Sequence, residues 1–481
     1  MAALREVNLT DVCWWERRLS TSISAVAMYG DSVLVGDWDG LVECWTFEGE
    51  LKWRTKTIDR IGQFAFSTEP GGAVDEVADG EEVLTDDAAG ILYATAGRHL
   101  VRINPEDGEI IWSIGLDGSA DSIEVTKDGS VWATSAVYDI ELNDFIESAC
   151  TLIDTSSEIL GQAIFAERAW HIEVRGDSVL LGLGRPRGGF FIIRSDENCE
   201  EKSNDLPNDS GSEVSDLARE DGSEAGERVE EGGTGKQVEE KSEKEELNNL
   251  TLEHHDLGDS PVTCGIAGRQ KTILGHADGS LTAIENGKKI KISQPFKMRD
   301  GGIDGLVCTA SGIATVDEAG AISHLATGQK DLWSSNLTNA EAPISEGPCL
   351  DSESSRAVWV TAWNGSEAVL ASFGHDDGEQ QTQFVESSRI RVLDYAANYL
   401  AVGFDDGRIL LLERELLIKR LAAEPSKNLD ENDSNNDSKN ILIAKEDSAD
   451  LLAGLKPVEV DENERRQTMR DRLKLLRGER K

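Results

Sequence analysis

SVLVGDWDGLVECWTFEGELKWRT, residues Ser32 to Thr55, decides the fold. Val33-Leu34-Val35 is a short β-branched and apolar run, and Asp37-Trp38-Asp39-Gly40 supplies turn chemistry. Leu41 to Phe47 is a second apolar-rich strand, Glu48-Gly49 turns again, and Leu51-Lys52-Trp53-Arg54-Thr55 alternates as a third. With the preceding run Ile23 to Met28, the unit has four short antiparallel strands. That is one blade of a β-propeller.

The glycine of the tight turn serves as a ruler along the chain. It falls at Gly40, at Gly97, and again at Gly279, Gly320, Gly365 and Gly407. The last four recur at close to the four-strand propeller period. Between Gly97 and Gly279 lie two degenerate units, one with SIEVT, SVWATSAVY and ACTLIDTSSEIL, the other with HIEVR, SVLLGLG and GFFIIR. The expectation is an all-β protein, a single propeller over 12–422 with blades starting near 22, 83, 120, 168, 260, 303, 346 and 388. Seven blades remain open if a degenerate unit merges with its neighbour. An open ring leaves an unpaired edge. Trp14-Trp15-Glu16-Arg17-Arg18-Leu19 resembles the outer strand Leu51-Lys52-Trp53-Arg54, so 12–20 is expected to pair with the last blade, leaving 413–421 to form a short helix.

Composition narrows the function classes. The 481 residues hold 91 acidic and 48 basic side chains, a formal charge of −43, which argues against a general nucleic-acid-binding surface. Segment 195–259 is acidic and Ser/Gly-rich without apolar periodicity and reads as a disordered insertion. A smaller acidic loop, 69–87, interrupts the second blade region. Most of the negative excess lies elsewhere, so the ring is acidic too, through salt adaptation or as charge that keeps it soluble. A polar linker follows at 423–440, and 441–481 reads as a helical tail. In its last part Met469, Leu473 and Leu476 share one face, and Arg465, Arg466, Arg470, Arg472, Lys474 and Arg477 make it the one basic stretch in an acidic chain. The seven cysteines are scattered without C-x-x-C and read as reduced thiols. With no apolar leader and no run of membrane-spanning length, a cytoplasmic location is expected.

The blade pattern D-G-x-[VL]-x-[AC]-[ILW]-x-x-x-x-G-x-x-x-W, with Gly40 to Trp53 and Gly320 to Trp333 at the same spacing, resembles the repeats of the pyrroloquinoline-quinone-like propellers. That superfamily includes quinoprotein dehydrogenases and the outer-membrane assembly lipoprotein of bacteria, and the resemblance implies eight blades. It also implies that Trp53, Trp112 and Trp333 wedge between adjacent blades. WD40 repeats are the second resemblance, although Gly275-His276 and Trp38-Asp39 sit in the inner turn, out of place for that family.

No catalytic constellation is legible. His254-His255 borders the insertion and reads as solvated, and 75–86 lacks an EF-hand ligand at Val77. A quinoprotein dehydrogenase would be exported and would hold calcium, and a vicinal cysteine pair is frequent there; this chain shows neither leader nor such a pair. The expectation is a non-enzymatic scaffold with no cofactor, no metal and no small-molecule substrate. Trp38, Asp39, Trp363, Asp405 and Asp406 are its candidate partner-binding residues on the ring, favouring basic proteins. The tail residues Arg465 to Arg477 are candidates for RNA or an acidic partner. A quinone- or metal-dependent oxidoreductase and an exported envelope-assembly propeller are the alternatives.

Overall fold

The computed structural model describes residues 8–67, 90–195, 250–268, 271–285, 290–293, 296–298, 301–309, 312–326, 330–350 and 356–422. Among them are eight antiparallel sheets and two short helices, Leu9–Val12 and Arg414–Ala422. Blade 1 runs Ile23–Tyr29, Ser32–Asp37, Leu41–Thr46 and Leu51–Lys56, each strand paired with the next. The first strands of the eight blades are Ile23–Tyr29, Ile61–Ser67, Ser119–Val125, Ala169–Arg175, Val262–Ala267, Ile303–Cys308, Ala340–Pro348 and Ile390–Ala396. Each touches the next, and the last touches the first, so they form the closed inner ring of an eight-bladed propeller.

The second strand of each blade explains why simple alternation fails in this sequence. Val33-Leu34-Val35, Val179-Leu180-Leu181 and Leu400-Ala401-Val402 are buried on both faces, because each blade is covered by a neighbour on either side. Each such Val or Leu contributes about 1.5–3 kcal/mol by leaving water. At the turn, Gly40 adopts φ +85°, and a Cβ there would come 2.3 Å from the Asp59 carbonyl oxygen. Only glycine fits, which is why it recurs as a ruler.

Closure follows the reading of Trp14 to Leu19. Trp15–Arg18 pairs antiparallel with Arg408–Glu413, Trp15 opposite Leu411, and becomes the outer strand of blade 8. The chain then turns into the helix Arg414–Ala422, whose first turn is capped by Glu413: its carboxylate accepts the N–H groups of Glu415 and Leu416 at 3.0 and 2.7 Å. Leu417 packs with Leu9 and Val12 in one buried cluster, which seals the closure.

Tryptophans staple blade to blade. The Nε1–H of Trp53 donates to the Pro105 carbonyl of blade 2, that of Trp112 to Thr155 of blade 3, and that of Trp333 to His375 of blade 7. Trp15 repeats the contact from blade 8 to Phe47 of blade 1 at 2.9 Å. Trp53 and Trp333 are buried and Trp112 is half-buried, as wedges between blades. Cys13, Cys44, Cys150, Cys264, Cys308 and Cys349 are free thiols, and burial pushes the Cys13 and Cys44 thiols up to about 11.

Three boundaries differ from the sequence expectation. Blade 2 begins at Ile61, not near 83: Ile61–Ser67 is its inner strand and Ile91–Ala96 its second. The acidic stretch is thus inserted within a hairpin, where added loop length costs little. Blade 7 begins at Ala340, ahead of 346. The third concerns 195–259. Leu250–His255 pairs with Phe190–Ser195 as the outer strand of blade 4, so the end of that segment is ordered sheet. Its side chains are mostly exposed, so no apolar period announces it. His254 and His255 are not merely solvated either. The His255 ring stacks on Phe190 at 4.6 Å, and His254 hydrogen-bonds the Gly188 carbonyl at 3.2 Å. Residues 196–249 of the insertion, the loop 69–87, the linker 423–440 and the tail 441–481 with Arg465, Arg466, Arg470, Arg472, Lys474 and Arg477 lie outside the described residues.

Candidate interaction face

Strand pairing gathers one set of loops on one face of the ring. Ile23 lies opposite Asp37, and Leu41 opposite Lys56, so the turn 37–40 and the link 57–60 share an edge of blade 1. The same holds for blade 8, where Ile390 faces Phe404 and Arg408 faces Arg18, and for blade 7, where Ala340 faces Ala362 and Ala368 faces Glu386. Trp38, Asp39, Trp363, Asp405 and Asp406 therefore belong to one face.

All eight inner strands carry a register irregularity near this edge, between Ile23 and Ala25 in blade 1 and at the corresponding place in each of the others. A bulge re-aims the extra residue. Here the re-aimed residues reach the next inner strand. Gln63 Oε1 accepts the Ile123 N–H at 3.1 Å, Asp304 accepts that of Ala342 at 2.7 Å, and Thr263 bonds the Ile303 carbonyl. Further along the inner strands, Glu124 accepts the Val174 N–H at 2.7 Å and Asp394 that of Met28 at 2.6 Å. Polar side chains, three of them acids, thus satisfy backbone groups on inner edges that no strand covers. Burial, with Glu173 nearby, pushes the Glu124 carboxyl up to about 7.

The candidate residues have distinct roles on this face. The Trp38 ring is 47% exposed, and the Arg60 guanidinium lies over it at 4.6 Å. Asp39 is exposed, and its N–H donates to the buried Asp37, which also accepts the Leu41 N–H at 2.8 Å. Trp363 is half-buried against the blade 7–8 core. Asp405 is held by Arg391 and Ser22, and Asp406 by Arg408 at 2.8 Å, which also reaches Glu386 at 2.9 Å. Both carboxylates are thus ion-paired within the ring, Asp406 sharing Arg408 with Glu386. The structure brings Trp38, Asp39, Trp363, Asp405 and Asp406 to one face, but it gives Asp405 and Asp406 structural work there.

A second aromatic group lies on the same face and was not legible as a site. Arg168 is sandwiched between Phe145, at 4.4 Å, and Trp170, at 4.1 Å, and is gripped by both oxygens of Asp121. Phe145 meets Tyr138 edge-on at 5.1 Å, across the hairpin of blade 3. Beyond them, in the turn DIELND, Ile140 is 86% exposed. Two aliphatic side chains in a turn were the available signal. Trp170 itself occupies the blade 4 bulge. Elsewhere, an open pocket of about 480 Å³ where the link 257–261 meets the turn 276–280 of blade 5 is lined by Leu257, Ser260, Pro261, His276 and Asp278. His276 has both ring nitrogens occupied, by the Ser260 carbonyl and the Thr282 hydroxyl, and aims no free group into it.

No protein-family model and no curated protein matches the sequence. Among solved structures, the computationally designed Ika8 protein matches with a TM-score of 0.52 at 12% identity, over 82% of this chain and 98% of that one. BamB from Moraxella catarrhalis matches with a TM-score of 0.51 at 11% identity, over 86% and 98%. Sqt1 from Saccharomyces cerevisiae matches with 0.52 at 11%, over 83% and 97%. At such identities the likeness concerns architecture alone. By blade count, ring closure and these likenesses, the chain is an eight-bladed β-propeller.

Proposed function

We propose that this propeller is a non-enzymatic scaffold of the cytoplasm that holds protein partners on the face carrying the turns 37–40, 139–144 and 405–406. The exposed Trp38 ring, fixed under Arg60, carries the reading. Exposed aromatic residues braced by arginine have the composition of binding hot spots, and a rigid ring lowers the ordering cost of docking. The acidity of the chain favours basic partners through faster encounter. The blade-to-blade tryptophans favour kinship with the pyrroloquinoline-quinone-like propellers over WD40 proteins.

The test is recovery of partners on the full-length protein from its native cytoplasm, wild type against the double variant Trp38→Ala, Trp170→Ala. Partners lost from the variant, with the thermal midpoint kept, support the reading. An identical partner set on both proteins would remove this face as the binding surface.

A further inference from the structure

The second and third strands of blade 3, Val131–Asp139 and Asp144–Ile153, form the longest paired hairpin arms among the described residues, against six residues each in blade 1. The extension has no core to build. It ends in Ile140, 86% exposed, and Leu142, 51% exposed, above Tyr138, 47% exposed. Trp170, 45% exposed, continues the same surface through the Arg168 sandwich. Contiguous apolar side chains outside a core mark interaction sites.

The knob is also rigid. Asp139 Oδ1 accepts the N–H groups of Glu141 and Leu142 at 2.8 and 3.1 Å, and the Tyr138 hydroxyl donates to Asn143 Oδ1 at 2.6 Å. Below it, the Arg168 stack is pinned by Asp121, and Trp170 packs on Gly184, where a Cβ would lie 2.6 Å from its Nε1. Charge selects the occupant. Arg168 is paired with Asp121, and Arg187 with the buried Glu167, the residue before Arg168 in the chain. Glu141 and Asp144, both exposed, flank the apolar tip.

We infer that the knob formed by Tyr138, Ile140, Leu142 and Trp170 is the docking point for a basic peptide segment that carries apolar side chains, an amphipathic stretch rich in Lys or Arg. This rests on the scaffold reading and names its contact point. The apolar side chains cover Ile140 and Leu142 while the cations meet Glu141 and Asp144.

The probe is a synthetic helical peptide of Leu and Lys carrying a photo-cross-linker, titrated onto the full-length protein. The comparison is the double variant Ile140→Asp, Leu142→Asp, which makes the surface more negative. Docking on the knob predicts at least a tenfold loss of affinity in the variant and cross-links within 138–145 and 168–170. Simple attraction to an acidic protein predicts equal or tighter binding to the variant, and that result overturns the inference. So does binding to anionic phosphatidylglycerol vesicles without binding to the peptide. If the variant keeps every native partner that Trp38→Ala loses, the knob is refuted while the scaffold reading stands; if neither substitution changes the partner set, both fail.

Discussion

The indole of Trp53 donates to the Pro105 carbonyl of the next blade at 2.7 Å, with Gly108 directly beneath its ring. Gly108 has φ +77°, and a Cβ there would come 2.5 Å from Trp53 Cε3. Trp53→Phe leaves that carbonyl unpaired and is expected to cost about 1–3 kcal/mol. Gly108→Ala adds left-handed strain to overlap with the ring and is expected to cost about 2–5 kcal/mol. In a Trp53→Ala background the overlap vanishes, so the alanine should cost less there. Denaturant titration of the four proteins measures the cycle. Strict additivity would show that the ring does not sit on the glycine.

Ring closure rests on one strand. Trp15 is buried among Val33, Phe47 and Leu411, and its indole bonds blade 1. Trp15→Ala is expected to destabilise the protein by about 3–5 kcal/mol. Amide exchange should accelerate first in 408–413, whose outer edge it frees, while the buried second strands of blades 3 and 4 stay protected. Uniform acceleration around the ring would mean that closure is not the weak seam.

Two groups give opposite pH dependences. The folded Glu124 carboxyl, pushed up to about 7, keeps a proton that the unfolded chain, near the ordinary glutamate value of 4.5, releases. Its effect on stability therefore declines as pH rises through that window. Glu124→Gln should raise the thermal midpoint at pH 8 and change it little at pH 5. His324 is pushed down to about 4 by burial and by His375, whose ring lies 4.7 Å away, against an opposing pull from Asp376; Trp333 stacks on it at 5.6 Å and the Thr309 hydroxyl hydrogen-bonds its Nε2 at 2.7 Å. Its folded value lies below the ordinary histidine value of 6.5, so its contribution is complete above that pH and is lost as pH falls toward 4. Histidine proton shifts followed by NMR should show the His324 ring still neutral at pH 5.5; a transition near 6.5 would contradict its burial.

Arg408 binds two carboxylates, and one of them, Glu386, is only 5% exposed. Glu386 also accepts the Leu9 N–H at 3.3 Å, which ties the first helix to blade 7. Removing Arg408 strands a buried charge, so Arg408→Ala should cost about 3–5 kcal/mol. Arg391→Ala, at a half-exposed pair with Asp405, should cost no more than about 1 kcal/mol. Comparable losses in denaturant would show that Glu386 finds other solvation.

The sequence alone determined the ring. Turn glycines need a left-handed backbone, short β-branched runs need a neighbour on each side, and Trp15 needs a blade to join. Each is a local requirement, written in adjacent residues. Blade 4 was harder, because Leu250–His255 pairs through its backbone and buries little. What only the tertiary structure decided is the character of the face. Asp405 and Asp406 read as free acids until the packing of blade 8 brings Arg391 and Arg408 into ion pairs with them. Phe145, Arg168 and Trp170 are separated in the chain and become one stack because two blades place a hairpin beside a bulge. Periodicity encodes which strands form; which side chains meet across blades depends on inter-blade packing, for which this chain has no local code.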